Sequence, residues 1–432
     1  SPNPGATVYT PALNALVRWN YDITPSIINT SSVAYTYQKV QLNPTGQFHI
    51  PAGLIKQAFS NGDNRLPGVS ISSPGTYWSW IGIGAQPNYS KTGDGIFSDD
   101  FTWVKGRHVV QAGGFYMWNI VRLNASAFSQ GNFSFGSSHT NDSAGDFLLG
   151  LTSSYSQSNV QRTGVFHQHW YELYAQDDFK ITPRLLLSYG LRYVYYSPST
   201  KEGNDISNFN AAKFDPSQAP VITPKGGFAS NPPLTASGAV ANITTNGIVI
   251  ACTAGTPCGF TTPKKDLTPP RVGFALRLNQ PGTLSLHGGY GIGYTQVGMF
   301  QTSGLLSNSP YVSTPGFSNT QFSNPAGGAA NPPGLLALNG LDSTYQPAQI
   351  QSWSLTLENE VVPHGIFTMA YAGQATDHIF SSGVDRNFPL STTTANTAAC
   401  AASVNNVNPS SSANYAYDPC LNGSNPAVPA AT

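Results

Sequence analysis

Two histidines, His167 and His169, have the residue type and spacing in this sequence best suited to chemistry. If their segment is a strand, residues two apart lie on the same face, and both imidazoles could bind one metal ion. A zinc site needs at least three protein ligands, and we identify no third ligand close in sequence. A polar strand face explains the pair as well, so we predict no metal site and no cofactor.

A second group of ionisable residues surrounds a Thr-Pro break, where Asp177 and Asp178 precede Lys180 and Arg184. Carboxylates beside cations can perform acid–base catalysis. Beside a tight turn, carboxylates also accept hydrogen bonds from free backbone amides, and we expect this structural role. The sequence has no Gly-x-Ser-x-Gly nucleophile motif. We therefore predict no catalytic residue and no enzyme.

A glycine-rich segment superficially resembles a phosphate-binding loop. Phosphate-binding loops join a strand to a helix, whereas these glycines alternate with other residues inside one extended run that no helix follows. On one face of a strand, glycine leaves open space or lets the sheet bend. We therefore predict no nucleotide site at the four glycines, Gly288, Gly289, Gly291 and Gly293.

Four cysteines form two local pairs, Cys252 with Cys258 and Cys400 with Cys420, each within a segment rich in Gly, Pro, Ser, Thr and Asn. Neither pair has the spacing of a zinc or haem attachment motif. Disulfides formed in an oxidising compartment explain the pairs better than metal binding does. We predict one disulfide from each pair.

The composition indicates a nearly all-β protein with unusually few charges. Asp, Glu, Lys and Arg make up 9% of the 432 residues, against about 25% in ordinary soluble domains. The 20 basic and 20 acidic residues cancel, which argues against nucleic acid as a partner. Gly and Pro are abundant and aromatic residues reach 12%, a mixture typical of strands joined by turns. The sequence contains no apolar run long enough for a membrane-spanning helix.

Short breaks and long polar segments alternate along the chain. We predict tight hairpin turns near 22–26, 105–108, 180–184, 279–283 and 362–365. We predict long loops at 45–75, 124–150, 197–265, 297–347 and 379–432. Short turns at one end of the strands and long loops at the other are typical of transmembrane β-barrels. We therefore treat residues 1–432 as one partial β-barrel domain.

The strands between these breaks divide into an apolar and a polar face. Residues that alternate with polar ones are predicted to face lipid, with aromatic rings toward the strand ends as in a membrane girdle. They are Leu187, Leu191, Tyr193, Leu286, Tyr290, Trp353 and Leu355. Arg192, His287 and Glu358 are predicted to face the lumen. A soluble sandwich or propeller, with the apolar face in its core, is the alternative.

Several of these segments resemble one family. "LYAQDDFKITPRLLLSYGLRYVYY" (173–196) resembles the barrels of TonB-dependent outer-membrane receptors, and is closest to the Oar-like group. Similar hairpins follow in "PPRVGFALRL" (269–278) with "GTLSLHGGYGIGYTQ" (282–296), and in residues 349–379. "AGDFLLGLTSSYSQS" (144–158) also matches.

The resemblance implies an antiparallel up-and-down transmembrane barrel in the outer membrane of a Gram-negative bacterium. Its turns would be periplasmic and its long loops extracellular. Outer-membrane lipid, a plug domain and TonB would be partners, and the function would be ligand capture with energised uptake, or an adhesion or export role. Ligand contacts are then expected on the loops, at Tyr311, Phe317, Phe322, Tyr345, Tyr415 and Tyr417.

The sequence departs from the family pattern in extent. It shows about ten to twelve strands, against about 22 in complete barrels, and we expect the signal peptide, plug and terminal strands to be absent from it. An open sheet in lipid would leave backbone groups unpaired at both edges. The alternative function is therefore an extracellular or cell-surface structural protein that self-associates through open strand edges.

Overall fold

The computed structural model describes residues 6–44, 53–60, 67–72, 88–125, 129–221, 228–230, 232–253, 255–280, 282–296, 298–327, 329–330 and 338–381. Within these ranges almost all regular structure is β-strand, and the paired strands are antiparallel apart from one parallel pair. The all-β prediction is confirmed. No helix in the described ranges is long and apolar enough to span a bilayer.

The strands in chain order are β1 (Ala6–Tyr9), β2 (Ala12–Thr24), β3 (Ile27–Pro44), β4 (Gly68–Ile71), β5 (Asn88–Lys105), β6 (His108–Ala125), β7 (Asn132–Phe135), β8 (Leu151–Ser156), β9 (Arg162–Thr182), β10 (Leu185–Tyr196), β11 (Thr200–Lys201), β12 (Ser207–Phe209), β13 (Ile248–Ile250), β14 (Pro270–Arg277), β15 (Leu284–Thr295), β16 (Gly316–Gln321), β17 (Ala329–Ala330), β18 (Ala348–Val362) and β19 (Gly365–Asp377). The α-helices are α1 (Ser143–Leu149) and α2 (Met299–Thr302), and short 3-10 helices span Ala211–Lys213, Pro216–Gln218, Ser303–Ser307 and Pro325–Gly327.

The main sheet consists of ten long strands, each hydrogen-bonded to the next in chain order: β2, β3, β5, β6, β9, β10, β14, β15, β18 and β19. β1 continues the line of β2 along β3, and β11 extends the sheet beside β9. β5 has 18 residues, which at about 3.4 Å per residue gives about 61 Å. A tilted strand crosses the hydrocarbon core in about 9–11 residues, so the longest strands continue well beyond that thickness.

Tight turns lie at one end of the main sheet. They are centred on Pro25 and Ser26, Gly106 and Arg107, Pro183 and Arg184, residues 278–280 with 282–283, and Pro363 and His364. Gly106 has a φ of 61°, a left-handed conformation that glycine adopts without the steric cost of a Cβ. All the long connections between these hairpins leave from the opposite end.

The strand register places apolar and polar side chains on opposite faces of the main sheet. One row of cross-strand partners runs through Tyr195, Tyr171, Tyr116, Phe97, Val33 and Val17. A nearby row on the other face runs through Arg192, Tyr174, Gly113, Asp100, Thr30 and Asn20. Because directly opposed residues lie on the same side of a sheet, these rows define an apolar face and a polar face. Many large side chains of the apolar face are exposed, including Val17 at 72% and Trp19 at 68%.

A second sheet, which we call the cap, is assembled from three of the long connections. Its order is β17-β16-β8-β7-β4, and α1 packs beside β7 and β8. Asp142 caps the start of α1 by accepting a hydrogen bond from the Ala144 amide, and Gly150 ends it in a left-handed conformation. The cap has its own core, formed by Ile55, Val69, Ile71, Phe133, Phe135 and Tyr155. Segments predicted only as loops therefore contain regular structure.

A second apolar cluster anchors the long connections to the main sheet. Val121 and Leu123 of β6 and Phe166 of β9 pack against Leu305 and Leu306 of a 3-10 helix. Further members are Ile206, Ala251, Phe260 and Met299. The buried cores of the described structure thus lie at the loop end of the main sheet, whereas many large side chains on the apolar face of that sheet are exposed.

Candidate functional site

The polar face carries a connected network of charged and hydrogen-bonding side chains. Arg192 forms an ion pair with Glu172, and Trp170 Nε1 donates to the same carboxylate at 2.9 Å. The Arg192 guanidinium lies 5.3 Å from the ring centroid of Tyr174. The Tyr174 hydroxyl donates to Asp100 at 2.5 Å. The network therefore links β5, β9 and β10 through one ion pair, one cation–π contact and two hydrogen bonds.

A second polar contact lies further along the same face. Asn119 Nδ2 donates to Asp94, and Thr36 Oγ1 donates to the other oxygen of that carboxylate at 3.0 Å. Ser32 and Ser98 hydrogen-bond to each other at 2.7 Å. Side chains of this kind suit a surface in contact with water or with another polar protein surface.

A groove of about 900 Å³ crosses β10, β14, β15, β18 and β19. Small residues of the polar face line it: Gly190, Gly273, Gly289, Gly291, Ser188, Ser352, Ser354 and Ala372. Asp178 and Arg271 contribute the charges of the lining. Arg271 is exposed, and its side chain makes no ion pair or hydrogen bond with the described residues. The glycines therefore lie in a strand and leave space beside it, and they do not form a phosphate loop.

The residues predicted to face the lumen all lie on the polar face, but they are not brought together. Arg192 belongs to the network beside Glu172. His287 lies opposite Thr356, and Glu358 lies opposite Ser285, nearer the turns. These positions would line different depths of one polar surface.

The seven residues predicted to face lipid all lie on the opposite, apolar face. Leu191 is 55% exposed and Leu355 45%, and Tyr193 and Tyr290 are exposed as well. Leu187, Leu286 and Trp353 are half-buried by neighbouring side chains of the same face. None of the seven is enclosed in a protein core.

The aromatic residues predicted to contact ligand have mostly intramolecular contacts. Phe317 and Phe322 pack against the core of the cap. The Arg162 guanidinium lies 4.9 Å from the ring centroid of Tyr311, and Tyr345 makes an edge contact with Phe380 at 6.0 Å. Tyr415 and Tyr417 lie outside the described residues. Sequence alone did not reveal these contacts because the partners are distant in the chain.

His167 and His169 lie on the apolar face among aromatic rings. His169 Nδ1 is 3.0 Å from the Tyr116 hydroxyl, and His167 is stacked with Trp118 at 6.3 Å. The described residues contain no group of three potential metal ligands. The pair is therefore part of an aromatic belt near the loop end.

Asp177 differs from its expected role beside the turn. Its side chain contacts His108 Nδ1 at 2.6 Å and accepts a hydrogen bond from the Tyr189 hydroxyl at 2.9 Å. These partners lie on the strands flanking β9, so Asp177 links three strands and does not cap turn amides with its side chain. The cross-strand register, which the sequence does not specify, creates this contact.

Cys252 and Cys258 form a disulfide, with Cα atoms 4.2 Å apart. It closes a small loop next to Ala251, which belongs to the cluster anchored on β6 and β9. Cys400 and Cys420 lie outside the described residues.

Two carboxylates in the long connections are held in their charged form. Burial acts to raise the pKa of Asp146, but hydrogen bonds from the Thr140 hydroxyl and from the Thr140 and His139 amides outweigh it and hold that pKa below its usual value. For Asp205, burial is likewise outweighed, here by a hydrogen bond from Lys201 and by the charges of Lys201 and Arg162, so its pKa is lowered.

An antiparallel sheet with an exposed apolar face, a polar opposite face and long connections at one end defines the class of transmembrane β-barrel walls. The outer membrane beta barrel domain family matches residues 2–419. The chain belongs to this family, and its location is the outer membrane of a Gram-negative bacterium. No curated protein sequence matches the chain significantly.

Solved outer-membrane transporters and receptors are similar in structure. The copper transporter OprC has 12% identity and a TM-score of 0.37, with 83% of this chain and 38% of that chain covered. The ferric-catecholate import receptor Fiu of E. coli K12, in its closed form, has 12% identity and a TM-score of 0.39, with 84% and 41% covered. The hemophore receptor HasR of Serratia marcescens has 11% identity and a TM-score of 0.26, with 87% and 44% covered. The chain thus spans less than half the length of these proteins.

Proposed function

We propose that this chain forms wall and cap of a TonB-dependent receptor of the Oar-like group, which binds a ligand outside the cell and imports it. The observation that carries the proposal is the placement of the cap. It is attached at one end of a sheet whose two faces differ sharply in polarity. A plug domain and TonB are the partners that this function requires.

The apolar face supplies the contact with lipid in this proposal. Exposed Leu, Val and aromatic side chains spread over the whole sheet would destabilise a soluble protein, because large apolar patches favour association. In a bilayer the same side chains are favourably solvated. Leu187, Leu191, Tyr193, Leu286, Tyr290, Trp353 and Leu355 then face hydrocarbon or the headgroup region.

The polar face and the groove supply the path for the ligand. Arg192, His287 and Glu358 would face water or the plug, and the small side chains around Gly289 and Gly291 leave room beside the wall. Ligand would first meet the cap and the long connections. Tyr311 and Tyr345 remain candidates there, together with Tyr415 and Tyr417, because a tyrosine offers apolar area and a hydrogen-bonding hydroxyl.

Maleimide labelling of one introduced cysteine tests the orientation, in a protein in which Cys400 and Cys420 are replaced by serine and Cys252 and Cys258 remain in their disulfide. Ala236→Cys places a thiol on an exposed long connection, and Arg184→Cys places one in an exposed hairpin turn. A membrane-impermeant maleimide should label the Ala236→Cys protein in intact cells, and the Arg184→Cys protein only after the outer membrane is permeabilised. Labelling of both proteins in intact cells would overturn the proposed topology.

Uptake assays test the transport step. Cells that produce the protein should accumulate a probe from a panel of copper ions and ferric catecholates only when TonB is functional, whereas binding to the cell surface should persist without TonB. The panel takes its members from the names of the similar transporters. Accumulation that is equal in cells with and without TonB would contradict energised uptake.

Self-association through strand edges is the second candidate function. Every residue of β2 is exposed, and neither β2 nor β19 has a described neighbour on its outer side. Such edges can pair with another chain. Heat-modifiable gel mobility in detergent would support the barrel, and detergent-resistant sedimenting fibres would support the assembly.

A further inference from the structure

Three cations stand side by side on the apolar face. The register pairs Lys39 of β3 with Lys91 of β5, and Lys91 with Arg122 of β6. We call these three residues the cation row. Neighbouring strands lie about 4.8 Å apart, so the row extends across about 10 Å of the sheet surface. Each member is on the same side as the exposed aromatic residues of this face.

The cation row has no carboxylate partner among the described residues. Lys39 Nζ lies 5.5 Å from the Tyr9 ring centroid, and Lys91 Nζ lies 5.3 Å from the Tyr89 ring centroid. Arg122 is exposed. Like charges directly opposite each other destabilise a sheet pair. An anion placed over the row would remove this repulsion.

The positions around the row in the register are uncharged. Toward the loops, the next positions on this face are Gln41, Tyr89 and Asn124, and toward the turns they are Tyr37, Gly93 and Ile120. The nearest carboxylate in register is Glu202, whose amide donates to the carbonyl of Val165, the strand neighbour of Arg122. Glu202 is therefore two strand spacings away, and no described carboxylate lies close enough to neutralise the positive charge of the row.

An aromatic belt fixes the depth of the row. On the turn side of the row, the same face presents Tyr35, Tyr37, Tyr116, Trp118, His167, His169 and Tyr171. Aromatic residues of this kind settle at the level of lipid headgroups. Arg122 and its neighbours lie just beyond them, on the loop side.

The length of β5 agrees with this depth. At the turn end of β5, Lys105 Nζ lies 4.8 Å from the Trp103 ring centroid, which provides a second aromatic and cationic pair on the strand. The separation of Lys91 and Trp103, about 12 residues, corresponds to about 41 Å along the strand. At a tilt of about 40° this becomes about 31 Å along the membrane normal, close to the thickness of the hydrocarbon core. The cation row would then lie at the outer headgroup layer.

We propose that Lys39, Lys91 and Arg122 form a binding site for the phosphate groups of a phosphorylated glycolipid in the outer leaflet. The Arg122 guanidinium would bind phosphate oxygens in a bidentate manner, and the two ammonium groups would contribute point charges. Tyr9 and Tyr89 hold the lysine side chains at the surface. This inference rests on the proposed orientation, in which the apolar face contacts lipid and the cap lies outside.

Lipid retention by the purified full chain tests the site. The protein is placed in nanodiscs of phosphatidylethanolamine that contain either bisphosphorylated lipid A or the same lipid A after phosphatase treatment. Native mass spectrometry then measures the lipid bound per protein. The test variant is K39Q/K91Q/R122Q. The matched control is K105Q/K180Q/R184Q, which removes three exposed cations at the turn end.

The expected result is selective loss of the phosphorylated lipid from the test variant. We expect retention to fall about tenfold, the combined effect of three modest surface ion pairs, while the control retains lipid A as the wild type does. Equal retention by the test variant, or equal binding of dephosphorylated lipid A by the wild type, would overturn the proposal. Displacement of lipid A by millimolar inorganic phosphate would assign the site to free phosphate and would overturn it too.

Two further measurements separate this proposal from the proposed orientation. Heat-modifiable mobility of K39Q/K91Q/R122Q establishes that the variant is folded. Surface labelling of Ala236→Cys in the same variant establishes that the long connection between β10 and β14 is outside the cell. A folded variant with a labelled Ala236→Cys and unchanged lipid A retention refutes the lipid site alone, whereas a folded variant in which Ala236→Cys is not labelled refutes the orientation.

Discussion

His108 Nδ1 lies 2.6 Å from Oδ2 of Asp177, and this contact joins β6 to β9 on the apolar face near the hairpin turns. The Tyr189 hydroxyl donates to the same carboxylate oxygen from β10. Asp177 is 9% exposed, and its Oδ1 atom has no hydrogen-bond partner among the described residues. Burial of a carboxylate costs free energy unless hydrogen-bond or charged partners replace its hydration. His108 and Tyr189 are these partners for Asp177, and the three side chains therefore join two adjacent hairpins.

Replacement of Asp177 should destabilise the main sheet. We expect Asp177→Ala to lower the free energy of unfolding by about 1–3 kcal/mol, because His108 and Tyr189 lose a charged acceptor. Denaturant unfolding of the detergent-solubilised protein, followed by tryptophan fluorescence, measures the change. The control is Asp178→Ala, which removes the adjacent carboxylate from the opposite face. An equal loss in both variants would show that the contact with His108 has no special importance.

Arginine substitutions on adjacent residues distinguish the two faces. We expect Leu355→Arg to destabilise the folded protein in lipid by about 2–4 kcal/mol, because the charge would enter hydrocarbon. Ser354→Arg places the same side chain on the polar face and should cost much less. Unfolding in lipid vesicles measures both. If Ser354→Arg proved the more damaging change, the assignment of the faces would be reversed.

The cap should lose stability in acid. The pKa of Asp146 is lowered in the folded protein by hydrogen bonds from Thr140 and His139 that outweigh the effect of burial. Its contribution is therefore complete above the unfolded pKa of about 3.9 and is lost as the pH falls through the lower folded value. Protease digestion of the cap between about pH 5 and pH 2 should reveal this loss. Asp146→Asn should be less stable near neutral pH and should lack this acid component.

Reduction of the Cys252–Cys258 disulfide should loosen the long connection that contains it. A closed loop of this size contributes about 2 kcal/mol in the chain-entropy model. The effect should be local, since the ladder of the main sheet does not include these residues. Limited proteolysis with and without reductant tests this, and in C252S/C258S the reductant should produce no additional cleavage within residues 197–265. Loss of heat-modifiable mobility on reduction would contradict a local effect.

Much of the main sheet could be predicted from sequence because alternation along a strand and the residue types of a turn are local features. Alternation around Leu187 and Leu191 assigns side chains to faces, and Pro183 and Gly106 mark points where the chain turns. The all-β class follows from the same patterns together with the scarcity of charge. Such features need only a few neighbouring residues.

The cap could not be predicted in the same way. Its strands are two to six residues long and come from connections far apart in the chain, so no periodic pattern identifies them. The sequence therefore predicts that Phe317 and Phe322 are available for ligand, whereas Phe322 packs against Phe133 and Phe317 against Tyr155. The cation row could not be predicted from sequence for the same reason, since only the strand register places Lys39 beside Lys91.

The mixed origin of the cap limits how another molecule can recognise it. β4, β7 and β16 come from three separate parts of the sequence. In the sheet, β4 pairs with β7, and β8 lies between β7 and β16. An antibody or a phage tail protein that binds the folded cap would meet a discontinuous epitope. A synthetic peptide copied from any one connection would lack most of that surface and should fail to compete for such an antibody.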